Sequence, residues 1–460
     1  MLIDKPFWCN LDRYGNDVSL IEAVSGKKVS YKELSNEIAD IADALLGNRK
    51  KLILVPLNNK IEDIILYLGV LAAGHVALLY SNETSSVGLN NLATRYKPDF
   101  IFGPALERCE LSEIPGRFAR IAKHTGYMSN NREGLAPNEL LTLLMSTSGS
   151  TGSGKLVRLS SRNVISNALQ ICEALQIKKQ ERAVTSLPLS YVYGLSLLHS
   201  HLAAGASLVV EERSIMEKKF WNSVRENRIT SFAGVPWTYQ MMRKIGIERT
   251  AVPEISRFTT AGAKMDAPTA EWITANLGDA NVYHMYGQTE AAGRIAVLPP
   301  ELAAGKVGSV GRSVPGGRIE CAEDGSIIYY GPNVMLGYSD RLEDLCLGDQ
   351  LQGRLDTGDL GYLDADGFLY ISGRKSRISK IYGIRICMDE VRDILESSGI
   401  EAHVSQNQPD VVTIRYRATE DINIKRFTEL LVSRFGIPKI ALSFERVAEF
   451  QRLSSGKIAP

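Results

Sequence analysis

The run of residues best suited to chemistry is rich in glycine and hydroxyl side chains, spans residues 146–155 (STSGSTGSGK) and follows the apolar residues LLTLLM. A strand leading into such a loop is typical of a phosphate-binding site. Glycines let backbone N–H groups approach the anion, hydroxyls donate hydrogen bonds, and the lysine supplies positive charge. As a bare pattern the run has two functional interpretations, besides that of a flexible turn without a ligand.

The first interpretation is the P-loop of classical NTPases. Residues 149–156 match the pattern G-x-x-x-x-G-K-[ST] at every position except the last. That position is Leu156, which has no hydroxyl to place on Mg²⁺, and this disfavours the classical P-loop.

In the second interpretation the run resembles the Ser/Thr/Gly-rich signature of the adenylate-forming superfamily. That superfamily includes acyl-CoA synthetases, adenylation domains of nonribosomal peptide synthetases and firefly luciferase. The superfamily's further motifs follow in order: YGQTE at 286–290, DTGDLG at 356–361, Gly373-Arg374 with Lys380, Gly383 and Arg385, and the terminal Gly456-Lys457. The resemblance begins at KVSYKEL, residues 28–34, and covers nearly the whole chain.

The resemblance implies an AMP-forming acid–thiol ligase. Such an enzyme uses ATP and Mg²⁺ to convert a carboxylic acid into an acyl-AMP, with release of pyrophosphate. It then transfers the acyl group to a thiol, either that of CoA or that of the phosphopantetheine arm of a carrier protein. Attack of a carboxylate on the α-phosphorus requires negative charge to be neutralised on both sides of the transferred group.

The resemblance also assigns roles to individual residues. Lys457 is the expected catalytic lysine, bridging the substrate carboxylate and the α-phosphate. Thr289 would donate to the α-phosphate, and Glu290 would ligate Mg²⁺, which prefers oxygen ligands. The expected phosphate loop comprises Thr147, Ser148, Gly149, Ser150, Thr151, Gly152 and Lys155, and the expected AMP site comprises Ala261, Gly262, Ala263, Tyr286, Gly287, Asp359 and Arg374. In the AMP site, the Tyr286 ring would face adenine and Asp359 would accept the ribose hydroxyls.

The acid pocket is predicted from position. Tyr191 stands where acyl-CoA synthetases often have a histidine, and Tyr193, Trp237, His284 and Met285 are the other expected wall residues. Aromatic and Met residues, however, more often belong to the hydrophobic core than to the wall of a binding pocket. No acidic residue occurs between positions 185 and 204, so an ordinary α-amino acid is disfavoured because its ammonium group would be buried without a partner.

The motif near residue 374 implies a hinge. Ser376 stands where the superfamily usually has Asp or Lys, so the exact pivot is open within residues 375–377. Gly383 is expected to admit the thiol, since a residue without Cβ permits close approach. Two further departures, Gly154 in place of Pro and Asp356 in place of Arg or Lys, are not expected to abolish ATP binding.

Two other functions compete with the acid–thiol ligase. One is an adenylase that transfers the acyl group to an amine or a hydroxyl. The other is a non-catalytic sensor of acyl groups or nucleotides, which is disfavoured because Lys155, Thr289, Glu290, Asp359 and Lys457 are all present.

The elements that must position these residues follow an α/β pattern. Between residues 30 and 270, helical patterns alternate with short apolar runs, which predicts largely parallel sheets. Residues from about 305 to 373 are rich in turns between short strands and predict a β-rich part of the same N-terminal AMP-binding domain, 1–373. Residues 374–460 have the length and pattern of a separate, small α+β domain, and the resemblance implies that this domain is a mobile lid.

Composition limits the partners and the location. The 460 residues carry 53 Lys+Arg against 52 Asp+Glu, so no whole-molecule charge attracts nucleic acid or an anionic membrane. The longest apolar stretch, residues 64–80, contains two glycines and a histidine and predicts a core helix and a buried strand, not a membrane span. The start lacks a signal-peptide pattern and the six cysteines are scattered, so we expect reduced thiols and a cytoplasmic location.

Overall fold

The architecture is that of a computed structural model, which describes residues 5–109, 116–129, 135–146, 155–277, 280–382, 384–418, 422–452 and 458. The helices are α1 (Tyr31–Leu45), α2 (Ile61–Ala72), α3 (Ser86–Tyr96), α4 (Ala105–Arg108), α5 (Ser161–Leu175), α6 (Val192–Ala204), α7 (Lys218–Glu226), α8 (Pro236–Lys244), α9 (Ala267–Leu277), α10 (Pro300–Ala303), α11 (Met388–Glu396) and α12 (Ile424–Phe435).

The strands up to residue 298 are β1 (Val18–Glu22), β2 (Lys28–Ser30), β3 (Leu52–Pro56), β4 (Val76–Tyr80), β5 (Phe100–Phe102), β6 (Gly116–Ile121), β7 (His124–Ser129), β8 (Leu141–Ser146), β9 (Leu156–Ser160), β10 (Arg182–Val184), β11 (Ser207–Val210), β12 (Ser231–Gly234), β13 (Arg257–Thr260), β14 (Asn281–Tyr286) and β15 (Ala296–Leu298). Those that follow are β16 (Arg312–Ser313), β17 (Arg318–Cys321), β18 (Ser326–Tyr330), β19 (Gly337–Ser339), β20 (Arg354–Leu363), β21 (Leu369–Arg374), β22 (Ile378–Ile381), β23 (Ile384–Cys387), β24 (Glu401–Gln408), β25 (Val411–Arg417) and β26 (Leu442–Arg446).

Two large sheets organise the N-terminal part. One has nine strands in the order β16-β15-β14-β13-β12-β10-β11-β1-β2, and the other has eight in the order β19-β9-β8-β4-β3-β5-β7-β6. The central strands are parallel in both, as predicted. The edges are antiparallel because adjacent strands there form hairpins, such as β6 with β7 and β8 with β9. The α/β fold class is confirmed.

The long apolar stretch forms the predicted helix and strand. Its residues fill α2 and β4, which are buried along nearly their whole length. Helix α1 begins where expected, because Ser30 and Glu33 form a capping box at its N-terminus. Along the part of the chain that the structure describes, no helix has the length and apolar character needed to cross a membrane.

The last third of the chain contains the β-rich unit and a separate small unit. Strands β17, β18, β20 and β21 form an antiparallel sheet, in agreement with the β-rich character predicted for residues 305–373. After it, β22–β23 and β24–β25–β26 form two small sheets. These sheets share with α11 and α12 a hydrophobic cluster of their own, which runs from Ile381 to Phe444.

Candidate active site

Two of the predicted motifs meet because the strands before them are parallel neighbours. Strand β13 pairs with β14 in parallel, with Thr260 opposite His284. Residues 261–263 follow β13 and residues 287–290 follow β14, so both motifs lie at the same edge of the sheet. The backbone there is tightly packed: a Cβ on Gly287 would lie 1.9 Å from the carbonyl oxygen of Gly293. Gly262 has a φ of +94°, which a residue with a side chain rarely adopts.

Asp359, Tyr286 and Arg374 form one polar cluster. The Tyr286 hydroxyl donates to Asp359 Oδ2 at 2.5 Å, and Arg374 Nε lies 2.8 Å from Asp359 Oδ1. Antiparallel pairing of β20 with β21 places Asp359 opposite Arg374. Asp359 is 3% exposed, and this burial raises the pKa of its carboxyl group while Arg374 opposes the rise. The cluster therefore presents a buried carboxylate flanked by two donors.

Glu290 is positioned by a tyrosine from another part of the chain. It lies in a short 3-10 helix, Thr289–Ala291, and its backbone carbonyl accepts from the N–H of Met335. The Tyr338 hydroxyl donates to Glu290 Oε1 at 2.8 Å. Burial raises the pKa of Tyr338, and the neighbouring Glu290 raises it further. Thr289, the residue before Glu290, is buried.

Lys155, the last residue of the predicted phosphate loop, also lies near Tyr338. Its Nζ lies 3.5 Å from Asp340 Oδ2 and 5.9 Å from the centre of the Tyr338 ring. Pairing of β9 with β19 accounts for this, since Leu156 is opposite Ser339. Tyr338 thus contacts the predicted metal ligand and also lies beside the phosphate-loop lysine.

Two of the five residues predicted for the acid pocket lie together. Tyr193 and Met285 border one small cavity of about 10 Å³, room for about one water molecule, and are 4% and 5% exposed. The Tyr193 hydroxyl is 2.7 Å from Thr259 Oγ1, and burial raises the pKa of this tyrosine to about 12. The Tyr191 hydroxyl would lie 3.2 Å from a Cβ on Gly262, so it borders the AMP-site segment.

Trp237 and His284 do not border that cavity. Trp237 packs in partial burial against two hydrophobic clusters, and burial lowers the pKa of His284. Their predicted place in the wall stays a prediction.

The predicted hinge is a short 3-10 turn, Lys375–Arg377, between β21 and β22. Lys375 Nζ lies 2.8 Å from Asp356 Oδ2, and Arg377 Nε lies 3.3 Å from Asp389 Oδ1. Ser376, between them, is exposed.

Several predicted site residues lie outside the described residues: Thr147, Ser148, Gly149, Ser150, Thr151, Gly152, Gly383 and Lys457. Their roles stay predictions.

Sequence reasoning missed Tyr338 and Arg294. Tyr338 is 48 residues away from Glu290, so no local motif connects the two. Arg294 is buried and lies four residues after Glu290, in the otherwise apolar run AAGRIAVL. An isolated charge in an apolar run was the signal that could have found it.

The comparisons with known proteins agree with this geometry. The family model described as "AMP-binding enzyme" matches residues 7–339. A 2-succinylbenzoate–CoA ligase of Bacillus cereus (strain AH820) is 25% identical over 100% of this chain and 98% of its own length. The corresponding enzyme of Bacillus subtilis (strain 168) is 32% identical, over 55% of this chain and 53% of its own length.

Solved structures show the same fold. O-succinylbenzoate coenzyme A synthetase from Bacillus subtilis, in complex with ATP and a magnesium ion, superposes with a TM-score of 0.78 at 22% identity, covering 99% of this chain and 98% of that one. ATP-bound MatB from Rhodopseudomonas palustris gives a TM-score of 0.77 at 21% identity, with 98% and 97% covered.

The chain belongs to the AMP-binding enzyme family, within the adenylate-forming superfamily. The class predicted from the motifs, an AMP-forming acid–thiol ligase that makes an acyl-AMP before the thioester, is confirmed at the level of this family.

Proposed function

We propose that this protein is a CoA ligase that activates a small carboxylic acid with ATP and Mg²⁺. One observation carries the proposal: three charged residues, each held by a partner, lie around the ends of β13 and β14. They are Asp359 with Arg374, Glu290 with Tyr338, and Lys155 with Asp340. A nucleoside, a metal ion and a polyphosphate each need one of these groups. CoA is preferred to a carrier protein because the similar proteins above are CoA ligases by name.

In this proposal each residue has a defined task. Asp359 accepts the ribose hydroxyls, with Arg374 maintaining its charge. Glu290 would hold Mg²⁺, and a single carboxylate would suffice because this ion usually keeps several waters and binds phosphate oxygens as well. An ion held there would neutralise charge on the phosphates. Lys155 contributes to binding the departing pyrophosphate, and Lys457 stabilises the charge that develops between the acid and the α-phosphate.

We further propose that residues 1–373 and 374–460 are separate domains joined at the 375–377 turn. The C-terminal residues have their own hydrophobic cluster, which supports independent packing. Domain rotation would bring Lys457 into the site for adenylation and Gly383 for thiol transfer. The cytoplasmic location predicted from the sequence stays a prediction.

The first acid to test is 2-succinylbenzoate, for which the relatives are named. Purified protein is incubated with this acid, ATP, Mg²⁺ and CoA, and the products are identified by mass spectrometry. We expect the acyl-CoA thioester, AMP and pyrophosphate. Parallel reactions replace CoA with a phosphopantetheinylated carrier protein or with an amine. Product from one of these but not from CoA would overturn the choice of acceptor. Acid-independent ATP binding without any product would favour the sensor.

A further inference from the structure

A buried arginine in β9 holds the segment of chain that carries Tyr338. Arg158 is 0% exposed and lies three residues after Lys155. Its guanidinium group donates to Oε1 of one glutamine and to four backbone carbonyls, namely Gln350 and those of Leu336, Tyr338, Leu347 and Gly348. Nε lies 3.1 Å from the carbonyl oxygen of Tyr338, and Nη2 lies 2.7 Å from Gln350 Oε1.

The acceptors lie at both ends of one loop. Leu336 and Tyr338 lie next to or in β19, whereas the other three acceptors follow the 3-10 helix Leu342–Cys346. The backbone N–H of Gln350 also donates to the carbonyl of Leu336, at 2.9 Å. Arg158 therefore closes the base of a loop that spans residues 336–350.

The outgoing end of this loop contacts Glu290 at two points. The N–H of Met335 donates to the backbone carbonyl of Glu290 at 2.9 Å, and the Tyr338 hydroxyl donates to its carboxylate at 2.8 Å. Both the backbone and the side chain of Glu290 thus depend on where residues 335–338 lie. A displacement of the loop base would move the donor away from the carboxylate.

The backbone is fitted to the guanidinium group. Gly337 lies opposite Arg158 in the pairing of β9 with β19. A Cβ on Gly337 would lie 2.8 Å from Nη2 of Arg158, so a side chain there would displace the guanidinium group from Gln350. The φ of Gly337, +136°, is also one that residues with a side chain rarely adopt. The three residues therefore fit together as one unit.

Stability alone does not account for an arginine at this position. All five acceptors are uncharged, so none of them supplies an opposite charge to offset the cost of taking the cation out of water. What a guanidinium group offers is a rigid fork of donors, which reaches several acceptors in fixed directions. Such a group is suited to fixing two chain segments relative to each other.

We infer that Arg158 is a positioning residue for adenylation, which holds Tyr338 in place to orient Glu290. The inference rests on the proposed function, because that function assigns Mg²⁺ to Glu290. Arg158 is assigned no contact with the nucleotide or the metal ion. Its loss should therefore raise the Mg²⁺ concentration that the reaction needs and leave the rate at saturating Mg²⁺ nearly unchanged.

The test is a double-mutant cycle of Arg158→Met and Tyr338→Phe, read by Mg²⁺ titration of pyrophosphate exchange. We expect each single substitution to raise the half-saturating Mg²⁺ concentration about 5-fold, the effect of one lost orienting hydrogen bond. The double variant should also show about 5-fold, because both substitutions remove the same contact. Multiplication of the two effects to about 25-fold would overturn the inference. Arg158→Lys keeps the charge without the fork and should lie between wild type and Arg158→Met.

Hydrogen exchange gives a readout that does not depend on activity. The amide protons of Met335 and Leu336 are bonded to the backbone carbonyls of Glu290 and Arg158. In Arg158→Met they should exchange about 5-fold faster than in wild type, because the loop base opens more often. Unchanged exchange of these amides in the folded variant would contradict the inference.

The matched control is Arg182→Met. Arg182 also donates to a backbone carbonyl, that of Asn227 at 2.6 Å. It begins β10, at the edge of the nine-stranded sheet opposite to residues 261–263. This variant should keep the wild-type Mg²⁺ titration even if its Tm falls. Thermal unfolding checks every variant, and if Arg158→Met does not fold, Arg158→Lys replaces it in the cycle and in hydrogen exchange.

Two outcomes separate the inference from the function it rests on. If Glu290→Gln shifts the Mg²⁺ titration and the folded Arg158 variant does not, the inference is overturned while the ligase stands. If no acid supports exchange, the ligase fails, and the inference is judged on ATP binding. A Tm increase with ATP that needs about 5-fold more Mg²⁺ in Arg158→Met than in wild type sustains the inference. An equal Mg²⁺ dependence overturns it.

Discussion

At the scale of single residues, Tyr338 connects the proposed metal ligand, Glu290, with Lys155. Its hydroxyl donates to Glu290, and Lys155 Nζ lies over its ring. In the proposed function, Tyr338 would therefore orient a negative and a positive group for the same polyphosphate. The charge of Glu290 and its orientation by Tyr338 can therefore be tested by separate substitutions.

Glu290→Gln should raise the Mg²⁺ concentration needed for half-maximal pyrophosphate exchange and slow the exchange, since it removes a charged ligand from a hard cation. Tyr338→Phe is the matched comparison, because it keeps the charge and removes only the hydrogen bond. Its effect should be smaller. Identical Mg²⁺ titrations of Glu290→Gln and wild type would make Glu290 a structural residue.

Lys457→Ala should reduce acyl-AMP formation by roughly 100-fold or more, because a positive charge is lost where negative charge grows in the transition state. ATP binding should persist, as measured by the increase in Tm with ATP. The control is Lys439→Ala, which removes an exposed lysine from the same C-terminal unit. Exchange by Lys457→Ala at the wild-type rate would exclude the assigned role.

What the sequence reveals at this scale depends on local motifs. Tyr286, Asp359 and Arg374 were found because each belongs to a recognisable motif, and the structure brings the three together. Tyr338 was not found, because its position beside Glu290 arises from a tertiary contact between residues 48 positions apart.

At the scale of elements, strongly apolar segments could be predicted and edge strands could not. Helix α2 and strand β4 are buried almost completely, so their composition alone identifies them. Strand β24 (EAHVSQNQ) is half exposed and mostly polar, and it is a strand because β25 pairs with it. Such pairing is a property of the fold and leaves little trace in local composition.

The 375–377 turn gives a prediction for the proposed hinge. Ser376→Pro should leave pyrophosphate exchange largely intact and suppress thioester formation, because proline fixes its own φ and disfavours the helical conformation of Lys375. Ser376→Ala is the control and should leave both half-reactions unchanged. If exchange and thioester formation by Ser376→Pro fall by the same factor, the pivot lies elsewhere.

At the scale of the whole molecule, α11 contacts the N-terminal part next to the AMP-site segment. Asp393 Oδ2 lies 2.6 Å from Lys264 Nζ, one residue after Ala263. Glu396, also on α11, has a pKa raised to about 7, first by burial and also by Asp393 and Asp266, while Arg392 and Lys264 oppose the rise. The contact therefore contains a carboxyl group that titrates near neutral pH.

Because the folded pKa of Glu396 lies above its unfolded value, the neutral form stabilises the folded state. That contribution is present below about pH 4.5 and is lost as the pH rises through about 7. We expect the Tm of wild type to fall, relative to that of Glu396→Gln, between pH 5 and about pH 8. Since the Glu396 side chain is 35% exposed, solvent screening reduces the expected difference in Tm. If the Tm values of the two proteins change in parallel with pH, the titration of Glu396 does not contribute to stability.

The central claim, that this protein activates a carboxylic acid on ATP, is tested most directly by exchange of labelled pyrophosphate into ATP, with and without acid. The account predicts exchange that requires both Mg²⁺ and an acid and that falls about 100-fold or more in Lys457→Ala. Exchange that proceeds equally without acid, or no exchange across a panel of fatty, aryl, hydroxy and dicarboxylic acids while ATP still binds, would contradict it.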